Sequence, residues 1–257
     1  PTPEVFYYPY FHTYVLTLLQ LMHGVAAASA DVSLHEWLAL QYFWSPELAL
    51  LTARWVNALC GRATLLLVGG LGREVYGKRV GLIALGLVTV SVLAVSQSPV
   101  AGLDVPMTMW YLAAVRLVSH PTTQGYLWAG VLVGLAASTK YHGALADSAI
   151  VAAHLLCGRS LKDRRLWIAG AATVGSFLAG SPHILWTPSA FISGFTELVT
   201  HARTGLLDLG PGWTHHILFS LRVNLGWPGL TALLVGLVLA LGGKDSRPRV
   251  LAAGFLG

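Results

Sequence analysis

The feature that most constrains this chain is the recurrence of apolar stretches along its whole length of 257 residues. Charged residues make up 11% of the chain, against about a quarter in an ordinary soluble domain. A hydrocarbon core of about 30 Å can be crossed only by helices or closed barrels, because every backbone group needs an internal partner there. The sequence therefore predicts an all-α fold, a polytopic transmembrane helical bundle. The predicted spans are roughly 49–71, 80–97, 106–119, 125–139, 142–157, 166–186 and 228–242, with another starting near 250.

The distribution of basic residues predicts the orientation of these spans. Most of the 16 Lys and Arg residues fall in the connections 72–79, 158–165 and 242–249 and in the turn near Arg116. If the spans alternate, all four connections lie on one face, which the positive-inside rule makes cytoplasmic. We therefore expect a multi-pass protein of the inner (plasma) membrane. Its chemically unusual residues would then lie on the outer face.

A single transmembrane unit is predicted over residues 1–257. Residues 1–48 are assigned to outer-face juxtamembrane helices, with 12–24 lying in the interface rather than crossing the membrane. The transmembrane core follows at 49–186, an outer loop with an interfacial helix at 187–227, and further spans at 228–257. The first residue is not Met and the chain stops inside an apolar run, so we expect a unit truncated at both ends. Gly130 and Gly134, spaced G-x-x-x-G, predict close helix packing.

A carboxylate, Asp104, lies between two apolar runs in SQSPVAGLDVPMTMW, on the predicted outer face. It is either a solvated loop residue or a charge that faces a cavity. Pro99 and Pro106 stiffen the short loop, and the acid directly precedes residues at membrane depth. A carboxylate at that point could act as a base, bind a cation or orient a hydroxyl.

Lys140 lies where two predicted spans meet, in STKYHGALADSA. A lysine there either extends its ammonium to the interface or contacts an anion such as phosphate. Asp147 and His154 follow at intervals of seven residues and are expected on the same helix face as Lys140. We favour neutralisation of Lys140 by Asp147 over a proton relay.

Arg54 stands near the outer end of its span and is an anion ligand or an interfacial anchor. Asn57, three residues later, can point the same way.

No metal site or cofactor is predicted. The outer segment holds His183, His201, His215 and His216, together with Arg203 and Asp208, but their spacing lacks a ligand pattern. HEWLAL lacks the second histidine of H-E-x-x-H. A divalent metal is left open without support, and nothing indicates a nucleic-acid partner.

Five stretches carry a resemblance to a known family. They are FYYPYFHTYVLTLLQLMHG, TARWVNALCGRATLLLVGGLGREVYGKRVGLIAL, GLDVPMTMWYLAA, WAGVLVGLAASTKYHGAL and SPHILWTPSAF, in that order over most of 5–195. Together they resemble the C-type glycosyltransferases (GT-C fold), in particular bacterial relatives of protein O-mannosyltransferases and of the lipid A aminoarabinose transferase. The resemblance implies inverting transfer of a sugar from a polyprenyl-phosphate donor. The acceptor, which is a lipid, a glycan or a protein, would be met on the outer face, with membrane lipids as the other partners.

The resemblance also implies roles for individual residues. It makes Asp104 catalytic and assigns Lys140 and Arg54 to the donor phosphate. The substrate cavity is assigned to Tyr8, His12, Tyr141 and His183. The helix start reads P-Y-F where the family often has P-P-L. The family's main carboxylate lies upstream of this helix, so we expect this fragment to lack it.

A rival hypothesis is a transporter or lipid flippase in which Lys140, Asp147 and His154 form an ion path. A third is a noncatalytic membrane scaffold. Convergence of Asp104, Arg54 and Lys140 on one outward cavity would favour the transferase.

Overall fold

The computed structural model describes residues 8–27, 32–118, 122–204 and 216–256. All regular secondary structure in these residues is helical, which confirms the all-α prediction. The elements are α1 (Phe11–Ala27), α2 (Leu34–Phe43), α3 (Glu47–Tyr76), α4 (Lys78–Thr89), α5 (Val92–Gln97), α6 (Asp104–Val118), α7 (Thr123–Thr139), a 3-10 helix (Tyr141–Ala146), α8 (Asp147–Leu156), α9 (Arg164–Gly180), α10 (His183–Trp186), α11 (Pro188–Thr204), a π-helix (His216–Leu221), α12 (Arg222–Gly242) and α13 (Ser246–Leu256).

Two of these helices, α3 with 30 residues and α12 with 21, are long and apolar enough to cross a membrane. The surface is also unusually apolar. Leu66, Leu87 and Leu239 expose 62%, 65% and 69% of their area, and many other aliphatic and aromatic side chains are also exposed. Soluble proteins rarely expose apolar patches of that extent. This surface matches a protein that is surrounded by lipid.

Three predicted spans are interrupted, which corrects the sequence-based boundaries. Span 80–97 is broken at residues 90–91 into α4 and α5, span 142–157 begins as a 3-10 helix, and span 166–186 divides into α9 and α10. At the first break the Ser91 side chain accepts a hydrogen bond from the Ala94 backbone N–H and so caps α5. Such local bonds offer the backbone an alternative to a continuous helix. Mean hydropathy does not register them.

The core lies among α6, α7, α8, α9 and α13. Its tightest contact joins α7 to α9, as the G-x-x-x-G spacing predicts. A Cβ on Gly130 would lie 2.3 Å from the carbonyl oxygen of Ala169, and one on Gly134 would lie 2.3 Å from that of Thr173. Only glycine lets the backbones approach this closely, so the predicted role of both residues is confirmed.

Helices α3 and α4 form an antiparallel pair around a turn at Gly77, whose φ of +93° favours glycine. Near the same end of α3, Arg116 of α6 donates hydrogen bonds from Nε and Nη2 to the Glu74 carboxylate, with 2.5 Å between Nη2 and Oε1. The pair ties α6 to α3 at the end that the basic residues predict to be cytoplasmic.

A bend interrupts α12 near its start. The backbone leaves helical geometry at Gly226, with φ +66° and ψ 173°, two residues before Pro228. Proline lacks the N–H that a continuous helix needs, and glycine adopts the positive φ without strain.

Candidate active site

Asp104 and Lys140 meet across the structure. The Lys140 Nζ lies 2.5 Å from Asp104 Oδ1, although 36 residues separate the two in sequence. Asp104 is the first residue of α6, where the helix dipole favours negative charge. Lys140 ends α7 in an extended conformation. The ammonium side chain is 19% exposed and the carboxylate side chain 62%, so the pair lies at a mouth rather than in the core.

The loop that delivers Asp104 is held by Asn57 of α3. The Asn57 side chain is fully buried and donates from Nδ2 to the carbonyl oxygens of Val100, at 2.5 Å, and Gly102, at 2.7 Å. His12 is buried against the same side chain. Burial lowers the pKa of His12, and the Asn57 side chain partly opposes that shift. His12 therefore supports the Asp104 loop through Asn57, and its place in a substrate cavity stays a prediction.

Arg54 does not join the ion pair. It is exposed, and among the described residues its guanidinium has no hydrogen bond or ion pair. Asn57 marks the level at which α3 contacts the Asp104 loop, because its amide donates to the Val100 and Gly102 carbonyl oxygens. Arg54 precedes Asn57 by three residues, which is about 4.5 Å along a helix. Arg54 and the buried Asn57 thus point different ways, contrary to the prediction.

Of the residues assigned to the substrate cavity, Tyr8 lies beside Lys140, and His183 contacts α1. The Tyr8 ring faces the Lys140 Nζ, with 5.8 Å from the nitrogen to the ring centroid, a cation–π geometry. Tyr14 of α1 and His183 Nδ1 are hydrogen-bonded, and the Tyr10 backbone N–H donates to Ser181 Oγ. These contacts dock the start of α1 on the junction of α9 and α10.

Tyr141, directly after Lys140, packs its ring against α11. The ring centroid lies 5.2 Å from that of Phe195 and 6.0 Å from that of Phe191. Burial, with a smaller contribution from Tyr10, raises the pKa of Tyr141 to about 12. Its hydroxyl therefore stays neutral at physiological pH and can donate a hydrogen bond.

Two cavities adjoin the pair. The larger, about 770 Å³, lies between α3, the α4–α5 break and α6, and it includes Asp104 and Asn224. The smaller, about 610 Å³, includes His142, two residues after Lys140. The smaller is lined mostly by aliphatic residues and the larger by aliphatic and polar residues in equal number, and the two share Val68, Thr108 and Leu112. The ion pair thus joins a side chain of the larger cavity to the turn that lines the smaller one.

Asp147 does not neutralise Lys140, so that prediction is wrong. Its Oδ1 accepts a hydrogen bond from Thr173 Oγ1 at 3.2 Å, while Lys140 pairs with Asp104. The expected common helix face of Lys140, Asp147 and His154 is also absent, because the 3-10 helix interrupts the α-helical period between the first two.

The fully buried His154 has partners of its own. Its Nε2 lies 2.8 Å from the Ser160 carbonyl oxygen, which can only accept, so Nε2 carries the proton. Its Nδ1 then accepts from the Tyr126 hydroxyl at 3.0 Å. His154 is therefore satisfied within the protein, on the side that is predicted to be cytoplasmic.

Within the described part of the chain, no group of three or more His, Cys, Asp or Glu side chains could hold a metal ion. Of the four outer histidines, His183 contacts Tyr14. His201, His215 and His216, with Arg203 and Asp208, fall outside the part whose side chains are described.

Sequence reasoning missed the roles of two asparagines. Asn57 was considered only as a neighbour of Arg54, and Asn224 was not singled out. Asn224 Oδ1 accepts hydrogen bonds from Ser91 Oγ and from the Leu93 backbone N–H, each at 2.9 Å. Their sequence context could have indicated these roles, because each is an amide inside an apolar helix. Burying an amide there costs free energy unless it forms hydrogen bonds.

Comparison with known proteins identifies the family of the chain. No curated protein and no solved structure matches it significantly. The sequence model of a family described as dolichyl-phosphate-mannose-protein mannosyltransferase matches residues 37–186, which is more than half of the chain. The matched range contains both members of the ion pair, while Tyr8, His12 and Asn224 lie outside it. The resemblance inferred from sequence is confirmed: the chain belongs to the dolichyl-phosphate-mannose-protein mannosyltransferase family and is a membrane glycosyltransferase.

Proposed function

We propose that this protein transfers a sugar, with inversion, from a polyprenyl-phosphate donor to an acceptor at the outer face of the inner (plasma) membrane. The observation that carries the proposal is the contact of Asp104 with Lys140 beside two largely apolar cavities. It offers a carboxylate for the acceptor hydroxyl, a cation for the donor phosphate, and apolar space for a lipid.

The donor is assigned to the Lys140 side of the pair. A lysine ammonium is a compact charge that suits a phosphate, and the low exposure of Lys140 limits screening by water. The smaller cavity begins two residues later at His142 and continues past Met107, Leu112 and Val115. Burial of the donor's isoprenoid chain in this cavity would contribute about 0.8 kcal/mol of binding free energy per CH₂.

The reaction is a single displacement at the anomeric carbon. The acceptor oxygen forms the new bond as the bond to the donor phosphate oxygen breaks, and attack from the opposite side inverts the configuration. The hydroxyl proton passes to the carboxylates of the site, and Lys140 stabilises the charge on the departing polyprenyl phosphate. The family resemblance leads us to expect the main catalytic carboxylate upstream, with Asp104 as the second carboxylate beside the acceptor hydroxyl. The reaction as proposed uses no cofactor.

The outer-face placement is supported by the two ends of α6. Asp104 begins this helix, and Arg116 lies twelve residues later, about 18 Å along the axis, paired with Glu74. The basic connections after α3 and α8 mark the Arg116 end as cytoplasmic under the positive-inside rule. Arg54, farther out than Asp104, stays a prediction as a second phosphate ligand.

The contacts do not favour the transporter or flippase hypothesis. Lys140 pairs with Asp104, Asp147 with Thr173, and His154 with Tyr126 and Ser160, so the three side chains belong to three separate contacts.

Donor binding provides the direct test. Purified protein in phosphatidylcholine nanodiscs is titrated with radiolabelled polyprenyl-phosphate mannose. Lys140→Ala should weaken binding by about tenfold or more, because a charge-assisted contact is worth about 1.5–3 kcal/mol. Lys162→Ala removes an exposed lysine from the predicted cytoplasmic side and should leave the affinity unchanged. Unchanged affinity in Lys140→Ala, or no binding by the parent protein, would contradict the proposal.

A further inference from the structure

The orientation of the Asn224 amide is determined by its partners. Its accepting atom lies 2.9 Å from the Leu93 backbone nitrogen, which can only donate, so this atom is the oxygen. The same oxygen accepts from Ser91 Oγ. The NH₂ group therefore points away from the start of α5. It has no hydrogen-bond partner among the described residues, and Asn224 lines the larger cavity.

The depth of this amide follows from helix register. Gly69 of α3 lies against Leu85 of α4, and Gly72 lies against Gly81, so the two helices run antiparallel in matched steps. Four residues beyond Leu85, Thr89 reaches about the level of residue 65, and Ser91 follows. On α6, Val105 lies against Gly61 of α3, so Thr108, three residues later, reaches about the level of residue 64. Ser91 and its partner Asn224 thus share a layer with Thr108.

The larger cavity consequently has two zones. Its outer part contains the polar residues Asp104, Gln97, Thr108 and Asn224 beside Val95 and Val105, whereas its deepest lining, Val68 and Leu112, is aliphatic. A pure hydrocarbon would leave the amide NH₂ without a partner, at a cost of about 1–3 kcal/mol. A fully polar ligand would leave the aliphatic zone without contacts. The lining therefore fits an amphipathic ligand with a hydroxylated headgroup.

We propose that the larger cavity is the acceptor site and that the acceptor is an amphipathic molecule with a hydroxylated headgroup, such as a glycolipid. The Asn224 NH₂ donates to one headgroup oxygen and so holds another hydroxyl near Asp104. This assignment rests on the proposed function, which places the donor on the Lys140 side. Asn224 lies beyond the matched range 37–186, so family membership does not supply the assignment.

Photo-crosslinking in phosphatidylcholine nanodiscs tests the site without requiring transfer. The probe is octyl β-D-glucopyranoside with a diazirine at the end of its alkyl chain, and the matched control probe is octanol with the same diazirine. We expect the glucoside to label segments 61–68, 88–98 and 105–112 at least several-fold more than the octanol does. Equal labelling by the two probes would overturn the proposal.

Variants separate ligand contact from packing. Asn224→Asp keeps an oxygen for Ser91 and Leu93 but loses the NH₂ donor, so it should lower glucoside labelling by about tenfold and leave octanol labelling unchanged. Ser91→Ala keeps the donor and should retain most of the glucoside labelling. The double variant Ser91→Ala, Asn224→Leu removes both polar partners together and should behave like Asn224→Asp. A parallel fall for both probes in these variants would show that Asn224 only holds the helices together, which overturns the proposal.

Competition experiments test whether the larger cavity binds the sugar of the donor or that of the acceptor. Polyprenyl-phosphate mannose should leave glucoside labelling in place, because the donor occupies the other cavity. Displacement of the glucoside would assign the larger cavity to the donor and overturn the acceptor site. Displacement by a serine- and threonine-rich peptide instead would assign it to a protein acceptor. Failure of the proposed function would appear separately, as an absence of donor binding.

Discussion

Each end of α6 has an ion pair, and the two pairs differ in the number of atoms that make the contact. We relate this difference to a structural role for one pair and a catalytic role for the other. At the predicted cytoplasmic end, Arg116 uses Nε and Nη2 on the Glu74 carboxylate. At the outer end, Lys140 contacts Asp104 through one nitrogen and one oxygen. The closest nitrogen–oxygen distance is 2.5 Å in both pairs. The forked geometry clamps two helices, while the single contact leaves a lysine that a phosphate can share.

The surroundings sharpen this contrast. Asp104 lines the 770 Å³ cavity, and Lys140 precedes the turn that lines the 610 Å³ cavity. Glu74 and Arg116 line neither of them, although Gly72, Tyr76 and Val115 beside this pair line the smaller cavity. The outer pair differs because Asp104 itself lines a cavity, and exchanging the residues of each pair should expose that difference.

Turnover gives the largest expected effect. In a protein that includes the upstream carboxylate expected from the family resemblance, Asp104→Asn should reduce sugar transfer by about 100-fold or more, since a positioned general base contributes 10²- to 10⁴-fold. Glu74→Gln makes the same chemical change at the other end of α6 and should leave turnover within about threefold, as its pair only tethers helices. The measurement is release of labelled sugar from the polyprenyl-phosphate donor. Equal rates for the two variants would remove Asp104 from the mechanism.

Stability provides the next comparison, because at each end a fully buried side chain, Asn57 or His154, is hydrogen-bonded to two other residues. Asn57→Ala leaves the Val100 and Gly102 carbonyl groups without their amide, and His154→Ala leaves Tyr126 and Ser160 without their imidazole. Each change should cost about 1–3 kcal/mol of unfolding free energy, measured by denaturant titration in micelles. Only Asn57→Ala should also slow transfer at temperatures where the protein stays folded, because Asn57 holds the Asp104 loop. Equal transfer rates in the two variants would separate that loop from the chemistry.

Charge reversal should give a smaller effect on stability. Glu74→Arg with Arg116→Glu rebuilds an ion pair and should recover most of what either single change loses, about 1 kcal/mol or less for a partly exposed pair. The corresponding exchange of Asp104 and Lys140 should restore folding without restoring transfer, because the base and the cation then stand on the wrong sides. Thermal unfolding and transfer rate are read on the same samples. Activity in the exchanged outer pair would contradict the assigned roles.

The sequence supported the helical class because long apolar stretches and few charges leave little alternative in lipid. It also indicated Asp104 and Lys140 as candidates, since charges beside membrane-depth residues are costly. Their mutual contact was not predictable, because it depends on how α6 and α7 dock. The period of seven suggested Asp147 as the partner of Lys140, but a 3-10 turn after Lys140 changed the register.

Arg54 and the asparagines show the same limit of pattern reasoning. A span boundary locates a residue only to within a few positions, and it does not show that Arg54 is exposed while Asn57, three residues later, is buried against the Asp104 loop. Asn224 gains its role from Ser91 and Leu93, more than 130 residues earlier, where hydropathy indicated an unbroken span. Breaks and side-chain caps depend on single hydrogen bonds, which averaged polarity does not resolve.

The smallest expected effect is a pH dependence confined to the outer end. Burial lowers the pKa of His12 below its ordinary value of 6.5. The unfolded chain therefore binds more protons than the folded protein as pH falls through and below 6.5, so stability decreases in that window and is retained above it. His12→Gln should flatten this part of the curve of unfolding free energy against pH, and transfer should lose part of its acid sensitivity, because His12 acts on the Asp104 loop through Asn57. Glu74→Gln, at the other end of α6, should leave the acid response unchanged. An identical acid response in His12→Gln and the parent protein would disconnect His12 from the outer site.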